Sequence, residues 1–108
     1  MFKKKKKDRD LQVECWNIDY ELIKWLNEHL KYYVWDCNVD LDKEKFVYKG
    51  EEKSFREILN RLIFITDTLF NNGEYIWEPI GELTIKQINA LKNEMYDLLK
   101  LVHWQLWW

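Results

Sequence analysis

The stretch "KSFREILNRLIFITDTLF", residues 53–70, decides the fold. Ser54 followed three residues later by Glu57 is a capping box. It places a helix start at the very point where the apolar periodicity begins. At 100° per residue Phe55, Ile58, Leu59, Leu62, Ile65, Thr66, Leu69 and Phe70 fall on one face, with Ile63 at its edge. Phe64 stands on the polar side beside Glu57 and Arg61. The helix stops before Gly73.

Working outward, two more helices are expected. Upstream, "CWNIDYELIKWLNEHLKYYVWDC", residues 15–37, predicts a helix from about Ile18 to Trp35 with Asn17 as its N-cap. Asp19 and Glu21 sit in its first turn, where the helix dipole favours acids. Its expected core arc is Ile18, Leu22, Trp25, Leu26, His29, Tyr32 and Tyr33, widened by Ile23 and Leu30. Tyr20 and Trp35 fall on the opposite side with Lys24, Glu28 and Lys31. Downstream, Thr84 and Gln87 repeat the capping logic. The face behind them is Ile85, Ile88, Leu91, Met95, Leu98, Leu99, Val102 and Leu106. A second stripe of Ala90, Leu101, Trp104 and Trp108 lies elsewhere on that helix, which is then either buried centrally or paired with another subunit.

The reading is therefore all-α: a three-helix, bundle-like domain over residues 11–108 with Trp25, Leu62 and Leu98 at its centre. Its two connections, residues 36–53 and 71–83, exceed the usual bundle loops. Each holds a short strand-like run, "KFVYKG" and "EYIWEPI". Only three glycines and one proline in 108 residues argue against a many-stranded sandwich or barrel.

Charge divides the chain. Residues 1–10 hold six basic side chains against two acidic ones, a local +4, which leaves −6 of the net −2 on the rest. Residues 1–10 read as a flexible basic arm, and contact of its Lys3 to Lys7 with nucleic acid is not the favoured role. No 18-residue apolar run is present to span a membrane, and the lysines lead into "DRDLQVEC", not an apolar signal core. The expected location is the cytoplasm. Cys15 and Cys37 bracket one helix at about 30 Å, far beyond the ~6 Å that a disulfide allows, so both read as free thiols or at most as intermolecular partners.

Catalytic signatures are missing. The sequence has no glycine-rich phosphate loop, paired CxxC, HExxH or GxSxG. "DCNVDLDKEK" alternates acids like a calcium loop but has Leu41 where glycine is required and Val47 where glutamate is required. His29 and His103 lie in the middle of apolar faces, where the only nearby further ligands would be cysteines at helix ends, so core or interface histidines that hydrogen-bond a backbone group are expected in place of a metal site. No enzyme activity, metal or cofactor is expected.

The elements "KDRD", "WNIDYELIKWLNEHLKYY" and "KSFREILNRLIFITDTLF" resemble a group of small uncharacterised bacteriophage and prophage proteins with a D-R-D…W-N-x-D-Y opening. The matching positions are Asp8, Arg9, Asp10, Trp16, Asn17, Asp19 and Tyr20. The resemblance implies a phage accessory protein of unknown activity and supplies no catalytic residue. By analogy such proteins act by binding. The leading expectation is a host-directed, anti-defence inhibitor that grips a host protein through exposed aromatics. The alternative is a sponge for a small signalling nucleotide, by ring stacking plus Arg or Lys; a further alternative is a minor virion or packaging component. The candidate binding residues are Arg9, Tyr20, Lys24, Trp35, Arg61, Phe64 and Trp77. A homodimer through Leu101, Trp104 and Trp108 is the expected oligomer.

Overall fold

A computed structural model describes residues 18–71 and 83–106. In chain order it holds α1 (Ile18–Trp35), a hairpin of β1 (Lys45–Tyr48) and β2 (Glu51–Ser54), α2 (Phe55–Asn71), α3 (Ile85–Val102) and a closing 3-10 turn (His103–Gln105). Among the described residues the protein is mostly helical with one small antiparallel sheet, and the strand-like run "KFVYKG" supplies its β1.

Helix α2 is the element around which the others assemble. The Glu57 backbone N–H donates to Ser54 Oγ at 3.1 Å, and the Ser54 N–H donates to Glu57 Oε1 at 3.0 Å, completing the capping box. Its apolar arc is wide because α1 and α3 pack against different parts of it. Ile58, Leu59, Leu62, Ile65 and Leu69 are fully buried, as expected from the periodicity. Phe64 is exposed, also as expected.

The hairpin and the loop before it seat the start of α2. Pairing runs from Lys45↔Ser54 to Tyr48↔Glu51, closed by Lys49 and Gly50 at φ values of 52° and 81°. A two-residue turn with both φ positive is the type I′ geometry that matches strand twist. A Cβ at Gly50 would meet nothing within 4 Å, so the backbone conformation and not crowding calls for glycine there. Phe46 turns inward onto the Phe55 ring at 5.8 Å. Leu41, in the middle of the acidic loop, is buried, and its carbonyl accepts from the Arg56 N–H. Arg56 also grips both carboxylate oxygens of Asp42, at 2.9 and 3.2 Å. That hydrogen bond holds the Asp42 carboxyl below its ordinary range. The acidic run thus serves as a cover for the α2 N-terminus.

Helix α3 has the predicted box between Thr84 and Gln87, with both bonds formed. Ile88, Met95, Leu98 and Val102 are buried. Ile85 is exposed, which shortens the predicted face by one turn.

Helix α1 is where the sequence reading needs correction. Its buried residues are Ile23, Leu26, Asn27 and Leu30, with Tyr33 and Val34 packed at the margin. Trp25, expected at the centre of the core, is 57% exposed. Ile18, Leu22, His29 and Tyr32 are exposed with it. At 100° per residue the buried arc lies about 90° away from the predicted one. The physical reason is polar. Asn27 Nδ2 donates to Thr66 Oγ1 at 2.9 Å and to Asp67 Oδ1 at 3.0 Å. Thr66 can accept because its own proton goes to the carbonyls of Leu62 and Ile63. Lys31 adds a 2.8 Å ion pair to the same Asp67. A buried amide costs free energy unless bonded; here both Asn27 N–H groups are bonded, and together with the Lys31–Asp67 pair they tie this face of α1 to α2.

Candidate docking face on helix α1

The rotation of α1 leaves a row of large side chains exposed, outside the core formed by the described residues. Ile18, Leu22, Trp25, His29 and Tyr32 follow one another at steps of four, three, four and three residues. That is the 3.5-residue period of a coiled-coil seam, and it lies beside the buried arc instead of within it. Exposure is 61% at Ile18, 57% at Trp25 and 62% at Tyr32. The row is ordered by its own contacts. The Trp25 and His29 rings stack 3.9 Å apart at 18°. His29 Nδ1 lies 2.7 Å from the Trp25 carbonyl oxygen. A carbonyl only accepts, so Nδ1 carries the hydrogen. His29 therefore bonds the backbone as expected, but on the surface.

A shallow hollow of about 530 Å³ adjoins the C-terminal end of the row, lined by Glu28, His29, Tyr32, Tyr33 and Cys37. Cys37 is a free thiol. The Tyr33 hydroxyl reaches the Gln105 carbonyl at 3.4 Å, tying this end of α1 to the turn after α3. On the side away from the core the seam is edged by Glu21 and Glu28, then Trp35, which is 63% exposed. Lys31 Nζ stands 6.0 Å from the Trp35 ring centroid.

The predicted binding residues do not converge on one site. Arg9, Trp77 and Trp108 lie outside the described residues, as do Asn17, Cys15, the Lys3–Lys7 arm and "EYIWEPI". Tyr20 is half-buried against the Phe70 ring at 5.3 Å. Lys24 and Trp35 are exposed on α1. Arg61 and Phe64 belong to the far side, where α2 meets α3. Arg61 forms a two-pronged pair with Glu94 at 2.6 and 2.8 Å and lies 5.1 Å over the Phe64 ring. That pair raises the Arg61 pKa and lowers that of Glu94, so both stay charged. Of the proposed interface, Leu101 packs partly onto the core while Trp104 is 83% exposed, its ring edge-on to His103.

The residues that sequence reasoning missed are those of the seam, which were assigned to the core. Their 4-3 spacing was visible, but no polar residue in the chain says which of two overlapping arcs is buried. Among the described residues no three His, Cys, Asp or Glu side chains group as metal ligands, and no helix is long and apolar enough to cross a membrane. The chain matches no known protein family, no curated protein and no solved structure.

Proposed function

We propose that this protein is a non-enzymatic binding module that takes an amphipathic helix with a basic edge across the outer face of α1. The observation that carries the reading is the exposed 4-3-4-3 row with acids along one side. Contiguous exposed apolar surface marks an interaction site, and a helix laid on a helix reads its partner through anchors at this spacing. Trp25 and Tyr32 are the residue types that dominate such contacts. Glu21 and Glu28 select for Lys or Arg on the partner's facing edge.

A second copy fits the seam less well. Laid antiparallel, it sets Glu21 and Glu28 against the same acids, a like-charge arrangement that specific pairings avoid. Laid parallel, it needs the edge of α1 that α2 already covers. The dimer through Leu101 and Trp104 is less favoured too, since Leu101 is partly spent on its own core. The nucleotide reading loses one of its phosphate partners, because the Arg61 guanidinium is held by Glu94, while Lys24 stays exposed on α1. As a protein of the phage type it resembles, the module would act as a host-directed inhibitor, and its partner would be a host protein.

Two synthetic helices of about three heptads, each with leucine on its seam, test this. One carries lysines and the other glutamates on its flanks. The lysine peptide should bind, moving the amide signals of Trp25, His29 and Tyr32. Trp25→Ala should weaken it about tenfold, or about 1.4 kcal/mol. Equal binding of both peptides, or no effect of Trp25→Ala, would refute the reading. So would a dimer in light scattering that Trp25→Glu dissolves, since a second copy would then own the seam. Tighter binding after removal of residues 1–17 would assign the face to the chain's own N-terminal segment.

A further inference from the structure

On the side of α2 away from the α1 seam, the hairpin meets α2 and α3 around a cleft of about 480 Å³. Ile58 and Leu98, both fully buried, form its apolar floor. Tyr48 lines one wall, and its hydroxyl has less than 1 Å² exposed and no hydrogen-bond partner. It is the one such side-chain atom among the described residues. A buried hydroxyl without a partner is costly, and such an atom calls for a specific explanation.

The other polar groups of the cleft indicate what is wanted. Glu94 spends both oxygens on Arg61. Glu57 accepts the Ser54 N–H with one oxygen, and that bond, with Lys53 and Lys45 near it, holds its pKa below the ordinary carboxylate value. Of the carboxylate oxygens lining the cleft, the second of Glu57 stays open. The open donors outnumber it: Tyr48 has an unused O–H, Asn60 offers its amide, and Lys53 pairs, among the described residues, with the exposed Glu51 at 3.2 Å. A lining with surplus donors over an apolar floor complements a ligand that is acceptor-rich at one end and apolar at the other.

We propose that this cleft binds a small aliphatic carboxylic acid. Its carboxylate accepts from Tyr48, Asn60 and Lys53, and its tail lies against Ile58 and Leu98. The site is separate from the α1 face and does not depend on the docking proposal. The bland competitor is a single trapped water on the Tyr48 hydroxyl, which needs several polar partners of its own.

The test is a titration of the full isotope-labelled chain with hexanoate and, separately, with hexylamine, which has the same tail and the opposite charge. Hexanoate should move the amides of Tyr48, Asn60 and Leu98 in a saturable way, and the amine should not. Tyr48→Phe should weaken hexanoate roughly fivefold, the effect of one lost hydrogen bond, while its thermal midpoint stays level or rises. A trapped water alone predicts no saturable shift with either probe. That result overturns the proposal, as does equal binding of both probes or undiminished hexanoate affinity in Tyr48→Phe.

Discussion

Helices α1 and α2 are almost the same length, 18 and 17 residues, and both are crowded with large apolar side chains. They differ in how those side chains are used. In α2 nearly every apolar residue is buried, and Phe64, the one exposed, lies under Arg61. In α1 only Ile23, Leu26 and Leu30 among the apolar residues are buried, while five large ones stay exposed. The core thus draws on α2 from two sides and on α1 from one. Among the described residues α1 packs mainly on α2, which needs one apolar arc, and α1 carries two. Surplus of that kind is not explained by stability, which is why the second arc is read as a surface for something else.

The largest expected effect lies in α2. Leu62→Ala should cost about 2–5 kcal/mol, the transfer loss plus the cavity left at a site closed on all sides. Urea unfolding followed by circular dichroism measures it. A cost below about 1 kcal/mol would mean that the two helices are equally peripheral and that the contrast between them is false.

An intermediate effect belongs to the contact between the two helices. Asn27→Ala removes two donors from Thr66 and Asp67 and should cost about 1–3 kcal/mol, the range for breaking buried hydrogen bonds. It should also loosen the orientation of α1, broadening the amide signals of Ile23 and Leu30. If the variant is as stable as the parent with sharp signals, then apolar packing alone sets the orientation of α1 and the polar account is wrong.

The contrast also marks how far the sequence could be read. Helix positions, both capping boxes and the strand-like run at residues 45–48 were legible, because each depends on residues within a few positions of one another. The orientation of α1 was not. It depends on Asn27 meeting Thr66, 39 residues away, and nothing in α1 marks Asn27 as an inward residue. The Arg56–Asp42 clamp, the burial of Leu41 and the Arg61–Glu94 pair are likewise products of folding, joining positions whose spacing carries no local signal. For the candidate sites this mattered more than for the fold. The spacing that singled out Arg61 and Phe64 as free surface could not show Glu94 across 33 residues, and the residues placed in the core became the surface.

The smallest expected effect is the most discriminating. Trp25→Ala should change stability by less than about 1 kcal/mol, although the side chain removed is the largest available. At 57% exposure more than half of the residue stays in water in the folded state, so the transfer energy lost is a fraction of that of a buried indole. The stack on His29 is given up, worth about 0.5–1.5 kcal/mol where such pairs are fully formed, and less between two exposed rings. Alanine returns part of this as the better helix former, by up to about 0.7 kcal/mol. The terms nearly cancel. Had Trp25 been at the centre of the core, as the periodicity alone suggests, the same change would cost about 3–5 kcal/mol. Unfolding in urea, on the same scale as Leu62→Ala, therefore separates the two orientations of α1 by several kcal/mol. A large loss would turn α1 back toward its predicted arc and take the docking face away with it; a small one leaves Trp25 available for a partner.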